Sequence, residues 1–161
     1  IIVESEERKG SEFKIYLPQI VAEITEEEIQ VTSIDELPKG NETILLVDDE
    51  DSIRDFLSEI LTEQGYKIIE ASNGSEGLRK FKEFDGNINL LISDITMPNM
   101  SGPELGKRLR EIQPEIKSLF ISGNVDNNFV EENAANSNVS FLHKPFTYSS
   151  IITRVRELLD R

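Results

Sequence analysis

The sequence predicts an α/β protein built on a parallel sheet with helices on both faces. Two patterns carry that reading. From Thr43 onward, five short apolar runs alternate with stretches whose apolar residues recur at helical spacing, the order expected of repeated strand–helix units. Several runs, among them Ile44–Val47 and Leu90–Ile92, are apolar at every position, as in strands buried on both sides.

The elements follow in order. Thr43–Val47 is the first strand, and Ile53, Phe56, Leu57, Ile60 and Leu61 form one helical stripe after it. Tyr66–Glu70 is a short strand behind Gly65, followed by a helix carrying Leu78 and Phe81. Ile88–Ser93 is a buried strand. Pro103 suits the first turn of a helix with Leu105, Leu109 and Ile112 on one stripe, and Gly106 within it costs about 1 kcal/mol against alanine. Ser118–Ser122 is the fourth strand. Asp126–Asn136 is polar and weakly patterned, which leaves the helix expected there the least defined element. Val139–Leu142 is the fifth strand, and Ile151, Ile152, Val155, Leu158 and Leu159 line the last helix.

The first 42 residues are different in kind. They hold eleven acids and four bases, a net of −7, half of the chain's −14 on about a quarter of its 161 residues. Residues 20–42 mix a glutamate cluster with Pro38, Gly40 and Asn41 and read as a linker, although Ile20, Val21, Ile24, Ile29 and Val31 allow a short helix or a partner contact. Ahead of it, Glu12–Leu17 alternates polar and apolar residues up to Pro18, the pattern of a strand with one buried face. Ile1–Val3 is a candidate second strand, turning back through Glu7 to Gly10. Two such strands cannot bury enough surface to be stable alone.

Composition excludes several chemistries. There are no cysteines and one histidine, so disulfides, thiolate sites and multi-histidine metal centres are ruled out. The acidic balance opposes binding to nucleic acid or to anionic membrane surfaces. The start, IIVESEERKG, places acids where a signal peptide needs a basic flank and an apolar stretch.

In an open α/β sheet, ligands sit beyond the carboxyl ends of the strands. Asp48 and Asp49 follow the first strand, Asp94 ends the third, Ser122 the fourth, and Lys144 with Pro145 the fifth. One acid at a strand end is usually a helix cap. Three acids, a hydroxyl and a lysine at four strand ends compose a site. Clustered carboxylates repel unless one is protonated or a cation lies among them, and oxygen-only ligation suits Mg²⁺. A carboxylate in line with a phosphoryl group is then a nucleophile that yields an acyl phosphate, with Lys144 and Ser122 holding the phosphoryl oxygens.

Residues 43–161, with ILLVDDE, LLISDITMPNMSG, LFISGN and FLHKPF in that order, resemble the receiver domain of two-component response regulators. The resemblance implies a flavodoxin-like (βα)5 fold with strand order 2-1-3-4-5 and phosphorylation of Asp94. It implies Mg²⁺ held by Asp48, Asp49, Asp94 and the backbone carbonyl of Thr96. Ser122 becomes the switch hydroxyl, Lys144 the cation that follows the phosphate, and Phe141 the aromatic switch, although Phe141 lacks the hydroxyl of a tyrosine there. Asn133–Asn138 departs from the Gly-Ala turn usual in the family. His143 reads as a strand-end residue without a catalytic role.

Gly10–Pro18 (GSEFKIYLP) is similar to the strand that closes the ATP-binding domain of histidine kinases, and Ile1–Ser5 to the strand before it. That similarity implies a division into residues 1–18, remnant strands of such a domain; 19–42, an acidic linker; and 43–161, the receiver of a hybrid kinase. The expected function is acceptance of a phosphoryl group from a phosphohistidine, without kinase activity in this segment. The expected partner is a histidine kinase's phosphohistidine domain, in cis or in trans, or a histidine phosphotransfer protein. Neither nucleic acid nor membrane is an expected partner, a weak homodimer is left open, and the expected location is the cytoplasm, with a membrane-associated parent left open. A haloacid-dehalogenase-like phosphatase is the main alternative, since Asp49–Ser52 loosely mimics its nucleophile motif. It leaves Asp94 without a role and little room for a cap domain. A degenerate receiver that only binds partners is opposed by the complete set of acids, hydroxyl and lysine, and a free-standing regulator by the kinase-like front.

Overall fold

A computed structural model describes residues 2–6, 9–16, 37–123 and 137–161. The chain divides into two compact units, Ile1–Val31 and Thr32–Arg161.

In the first unit, β1 (Ile2–Glu6) and β2 (Gly10–Lys14) pair antiparallel, with Val3 opposite Phe13 and Glu4 opposite Glu12. β1 runs further than the sequence suggests, and the expected buried face is not formed: Phe13 is 67% and Val3 54% exposed. A two-stranded ribbon has no second layer to bury its apolar side chains against. Leu17, Pro18 and the apolar positions from Ile20 to Val31 lie outside the described residues.

The second unit contains β3 (Thr43–Val47), α1 (Asp51–Glu63), β4 (Lys67–Ala71), α2 (Gly74–Glu83), β5 (Leu90–Asp94), α3 (Gly102–Ile112), β6 (Lys117–Ser122), β7 (Val139–His143) and α4 (Tyr148–Leu159). The five strands are parallel in the order β4-β3-β5-β6-β7, which is 2-1-3-4-5 counted within the unit. The flavodoxin-like architecture expected from the sequence is therefore present. The polar stretch Asp126–Asn136 lies outside the described residues, and with it the helix expected there.

Strand alternation explains the two-sided core. Ile44, Leu46, Leu90, Ile92, Leu119 and Ile121 point to the face covered by Leu57, Ile60 and Leu61 of α1 and Ile151, Ile152 and Val155 of α4. Their neighbours Leu45, Val47, Leu91 and Phe120 point the other way, against Phe81 of α2 and Leu105 and Leu109 of α3. Leu37 joins the first cluster. Two apolar residues leave the expected helical stripes: Phe56 is 43% and Ile112 51% exposed. Each lies at the edge of its helix's apolar arc, where the sheet no longer covers it.

Loops are fixed by side chains that answer backbone groups. Asn73 caps α2 by accepting from the Glu76 N–H, and Glu76 in return accepts from the N–H and hydroxyl of Ser72. Ser101 caps α3, where Pro103 occupies the first turn, and Thr147 and Ser150 form a capping box on α4. These caps set the loops at the carboxyl end of the sheet.

Candidate functional site

β3, β5, β6 and β7 deliver their last residues to one end of the sheet. Asp48, directly after β3, is buried. Its Oδ1 accepts from the Glu50 N–H at 2.9 Å, while its Oδ2 is buried without a hydrogen-bond partner. Asp94, the last residue of β5, is half-buried. Its Oδ2 accepts from the Thr96 N–H at 2.8 Å and its Oδ1 from Lys144 Nζ at 2.8 Å. The same Nζ lies 3.5 Å from Asp48 Oδ2. One ammonium thus stands between two carboxylates that come from different strands.

The surrounding backbone holds this arrangement. The Lys144 N–H donates to the Ser122 carbonyl at 2.8 Å, tying the loop after β7 to the end of β6, and the Lys144–Pro145 bond is cis. Ser122 is itself buried at the strand end. Phe141 is half-buried on β7, its ring 6.0 Å from that of Phe120 at 36°. The buried Ser93 hydroxyl donates to the Asp94 carbonyl at 2.9 Å. Gly102 closes against that carbonyl so tightly that a Cβ there would overlap it. Asn99 takes a φ of 66° in the intervening loop, a left-handed conformation that asparagine tolerates.

Burial pushes the Asp48 carboxyl above its usual range, and the Asp94 charge adds to the rise, against the opposing pull of the Glu50 N–H and Lys144. For Lys144, burial works against the charged form, but the hydrogen bond to Asp94 and the charges of Asp48 and Asp94 outweigh it and hold the ammonium protonated.

Asp48, Asp94, Ser122 and Lys144 all stand at this end of the sheet, as the sequence suggests. Asp49 follows Asp48 and is exposed. His143 is exposed, with Nδ1 3.0 Å from the Lys144 carbonyl oxygen and no contact with the carboxylates among the described residues. Sequence reasoning missed Ser93, Gly102 and Arg54, whose Nη1 donates to the Asp48 carbonyl at 2.9 Å. An arginine six residues after an acid at a strand end is a usable signal, because the first turn of the helix brings it back over the loop.

Among the described residues, no three His, Cys, Asp or Glu side chains close into a ready-made metal cage. The donors nevertheless suit Mg²⁺, which keeps several waters and needs only one or two carboxylates. Asp48 Oδ2 is a buried, hard anionic oxygen without a hydrogen bond that shares the Lys144 ammonium with Asp94, so two carboxylates have one positive charge between them, and Asp49 is exposed beside them.

Residues 44–156 match the family model of the response regulator receiver domain. The chain belongs to that family. This receiver is 36% identical over 168 residues to the sensor kinase CckA of Brucella abortus, a match that takes in the whole chain but only 18% of that kinase's length. Among solved structures, it resembles the receiver domain from the hybrid histidine kinase CckA, with a TM-score of 0.62 and 36% identity over 73% of this chain and 98% of that one. It also resembles the response regulator TrrA of Thermotoga maritima in complex with Mg(2+)-BeF, with a TM-score of 0.61 and 33% identity over 73% of this chain and 98% of that one. The chain is thus a phosphoryl-accepting receiver of two-component signalling, related to the receiver of a hybrid kinase.

Proposed function

We propose that Asp94 is the acceptor, taking a phosphoryl group from a phosphohistidine in a Mg²⁺-dependent reaction. The observation that carries this reading is Lys144 Nζ, 2.8 Å from Asp94 Oδ1 and 3.5 Å from Asp48 Oδ2. An Asp94 carboxylate oxygen attacks phosphorus, the phosphorus–nitrogen bond to the donor imidazole breaks, and an acyl phosphate forms on Asp94. Lys144 then pairs with the phosphate, which adds about −1.5 to −2 charge, and the Ser122 hydroxyl donates to one of its oxygens. Asp48, Asp49, Asp94 and the Thr96 carbonyl would hold the Mg²⁺, which when bound neutralises charge on the phosphoryl oxygens. Drawing Ser122 and Lys144 toward the phosphate favours one of two packings of Phe141 against Phe120.

The donor in this reading is the phosphohistidine domain of a histidine kinase, in cis or in trans, or a histidine phosphotransfer protein. Residues 1–18 are the closing strands of a kinase ATP-binding domain, and 19–42 the acidic linker to the receiver. The antiparallel pairing of β1 and β2 and the CckA match across the whole chain support that division. The segment acts in the cytoplasm without kinase activity of its own. Among the described residues, no helix is long and apolar enough to cross a membrane.

Incubation with acetyl phosphate and Mg²⁺, read by intact mass, should add one phosphoryl group to the wild type and none to Asp94→Asn. Equal labelling of the two would overturn the assignment. Calorimetric titration with Mg²⁺–ATP should show no binding; micromolar affinity would overturn the reading of the front segment.

A further inference from the structure

Arg54, on the first turn of α1, reaches three groups at once. Its Nη1 donates to the Asp48 carbonyl at 2.9 Å and its Nη2 to Asp51 Oδ1 at 2.6 Å, while Nε lies 3.7 Å from Glu70 Oε2. Glu70 is held in turn by the Ser58 hydroxyl at 2.6 Å. The Arg54 side chain is only 14% exposed, so this is a fastened guanidinium and not a solvated one. The three contacts leave the guanidinium through three different nitrogens, a spread that the single nitrogen of an ammonium cannot reproduce.

What Arg54 fastens is the turn that carries both acids. The Glu50 N–H donates to the Asp48 carboxylate and Arg54 to the Asp48 carbonyl, so the two peptides that flank Asp49 are each held by one bond. Asp49 needs this help. Among the described residues its carboxylate has no hydrogen bond or ion pair, so only the backbone limits the region it can reach.

We infer that Arg54 is a positioning residue for the phosphoryl-accepting site, fixing the Asp48–Asp49 peptide and through it the aim of the Asp49 carboxylate at Mg²⁺. This rests on the proposed role of Asp48 and Asp49 in holding the ion. The competing role is that of a counter-charge for Asp51, Asp55 and Glu70 around it, and the two roles predict opposite signs. A counter-charge repels Mg²⁺, so neutralising it strengthens binding of the ion. A positioning group, once removed, lets the Asp49 carboxylate wander, and binding weakens as it does when residues that orient metal ligands are lost.

The test is calorimetric titration of Mg²⁺ into the full chain as wild type, Arg54→Gln and Arg54→Lys, with thermal melting to establish that each variant is folded. Both variants should bind Mg²⁺ about tenfold more weakly. Acetyl-phosphate labelling should need correspondingly more Mg²⁺ while reaching the wild-type yield at saturation. Arg54→Lys keeps the charge, so its weakening cannot be electrostatic, and it carries the test alone should Arg54→Gln fail to fold. Unchanged or tighter Mg²⁺ binding in a folded variant overturns the inference. A wild type that binds no Mg²⁺ or takes no phosphoryl group overturns the reading of the site itself; a wild type that does both, matched by its Arg54 variants, overturns only the role of Arg54.

Discussion

The two ends of the central sheet use the same residue types to opposite effect. At the amino end, charges are matched: Glu42 Oε1 accepts from Arg156 Nη2 at 2.8 Å, Asp160 from the same atom at 2.8 Å, and Lys117 donates to the Leu159 carbonyl at 2.7 Å. Asn89 and Gln113 answer backbone groups there. At the carboxyl end, Asp48 and Asp94 share one ammonium, and Asp48 Oδ2 is buried without a hydrogen bond. Gln64 Oε1, Tyr66 Oη and Arg156 Nε are also buried without a hydrogen bond, but none of these is a carboxylate that must share its counter-charge. One end contributes stability. The other holds back stability that an incoming cation and a phosphoryl group restore.

Substitution at each end should therefore read out differently, and Lys144→Ala should show the largest effect. Without Mg²⁺ it leaves two facing carboxylates with no cation, which costs about 3 kcal/mol in a urea titration. Saturating Mg²⁺ should recover most of that loss, because lysine is not a metal ligand. The response of amide exchange at Ser122 and Phe141 to phosphorylation should nevertheless disappear. A variant that loses Mg²⁺ binding and keeps the exchange response would contradict the role of Lys144 as the cation that pairs with the phosphate.

Gly102→Ala comes next. The new Cβ would overlap the Asp94 carbonyl, a backbone atom that cannot step aside cheaply, so about 2 kcal/mol should be lost along with the rate of labelling. A stable variant with normal labelling would mean that the loop after β5 is looser than its contacts indicate.

Glu42→Gln probes the matched end. It removes a charge-assisted bond in which both side chains are mostly buried, and should lower the unfolding free energy from a urea titration by about 1.5 kcal/mol while leaving labelling of Asp94 unchanged. Impaired labelling there would show that the two ends communicate.

The smallest effect should appear in acid. The N–H of Ser72, Lys80 and the Ser72 hydroxyl hold the Glu76 carboxyl down to about 2, against an ordinary 4.5. Its stabilisation is complete above pH 4.5 and disappears as pH falls toward 2. Asp48 has the opposite sign: its raised carboxyl makes ionisation unfavourable in the fold, so stability falls as pH rises through its folded value. Glu76→Gln should thus cost about 1 kcal/mol near pH 7 and nothing near pH 2, whereas Asp48→Asn should stabilise the Mg²⁺-free protein near pH 7. Denaturant titrations across that range compare the two.

The sheet and its site were legible to different depths. Ile44–Val47 and Leu90–Ile92 announce doubly buried strands because a strand covered on both faces favours apolar residues at successive positions and admits only small hydroxyl side chains such as Ser93 and Ser118 besides. Asp48, Asp94, Ser122 and Lys144 were legible for the converse reason: each stands where an apolar strand gives way to polar residues, and three of the four carry a charge that a buried strand does not hold unpaired. Phe56 and Ile112 misled, because helical periodicity marks an apolar arc without saying how far the sheet extends beneath it. The face expected on Glu12–Leu17 failed similarly, since alternation specifies a face but not a layer to cover it.

By itself, then, the sequence determined the order of strands and helices and the chemistry of the strand ends, because both follow from local pattern along the chain. Tertiary structure decided which groups restrain that chemistry: Arg54 on the Asp48 carbonyl, Gly102 against Asp94, and one Lys144 ammonium between two strands. Those contacts join residues whose separation along the chain says nothing about distance until the sheet is assembled, and only then do burial and charge give each of them a role.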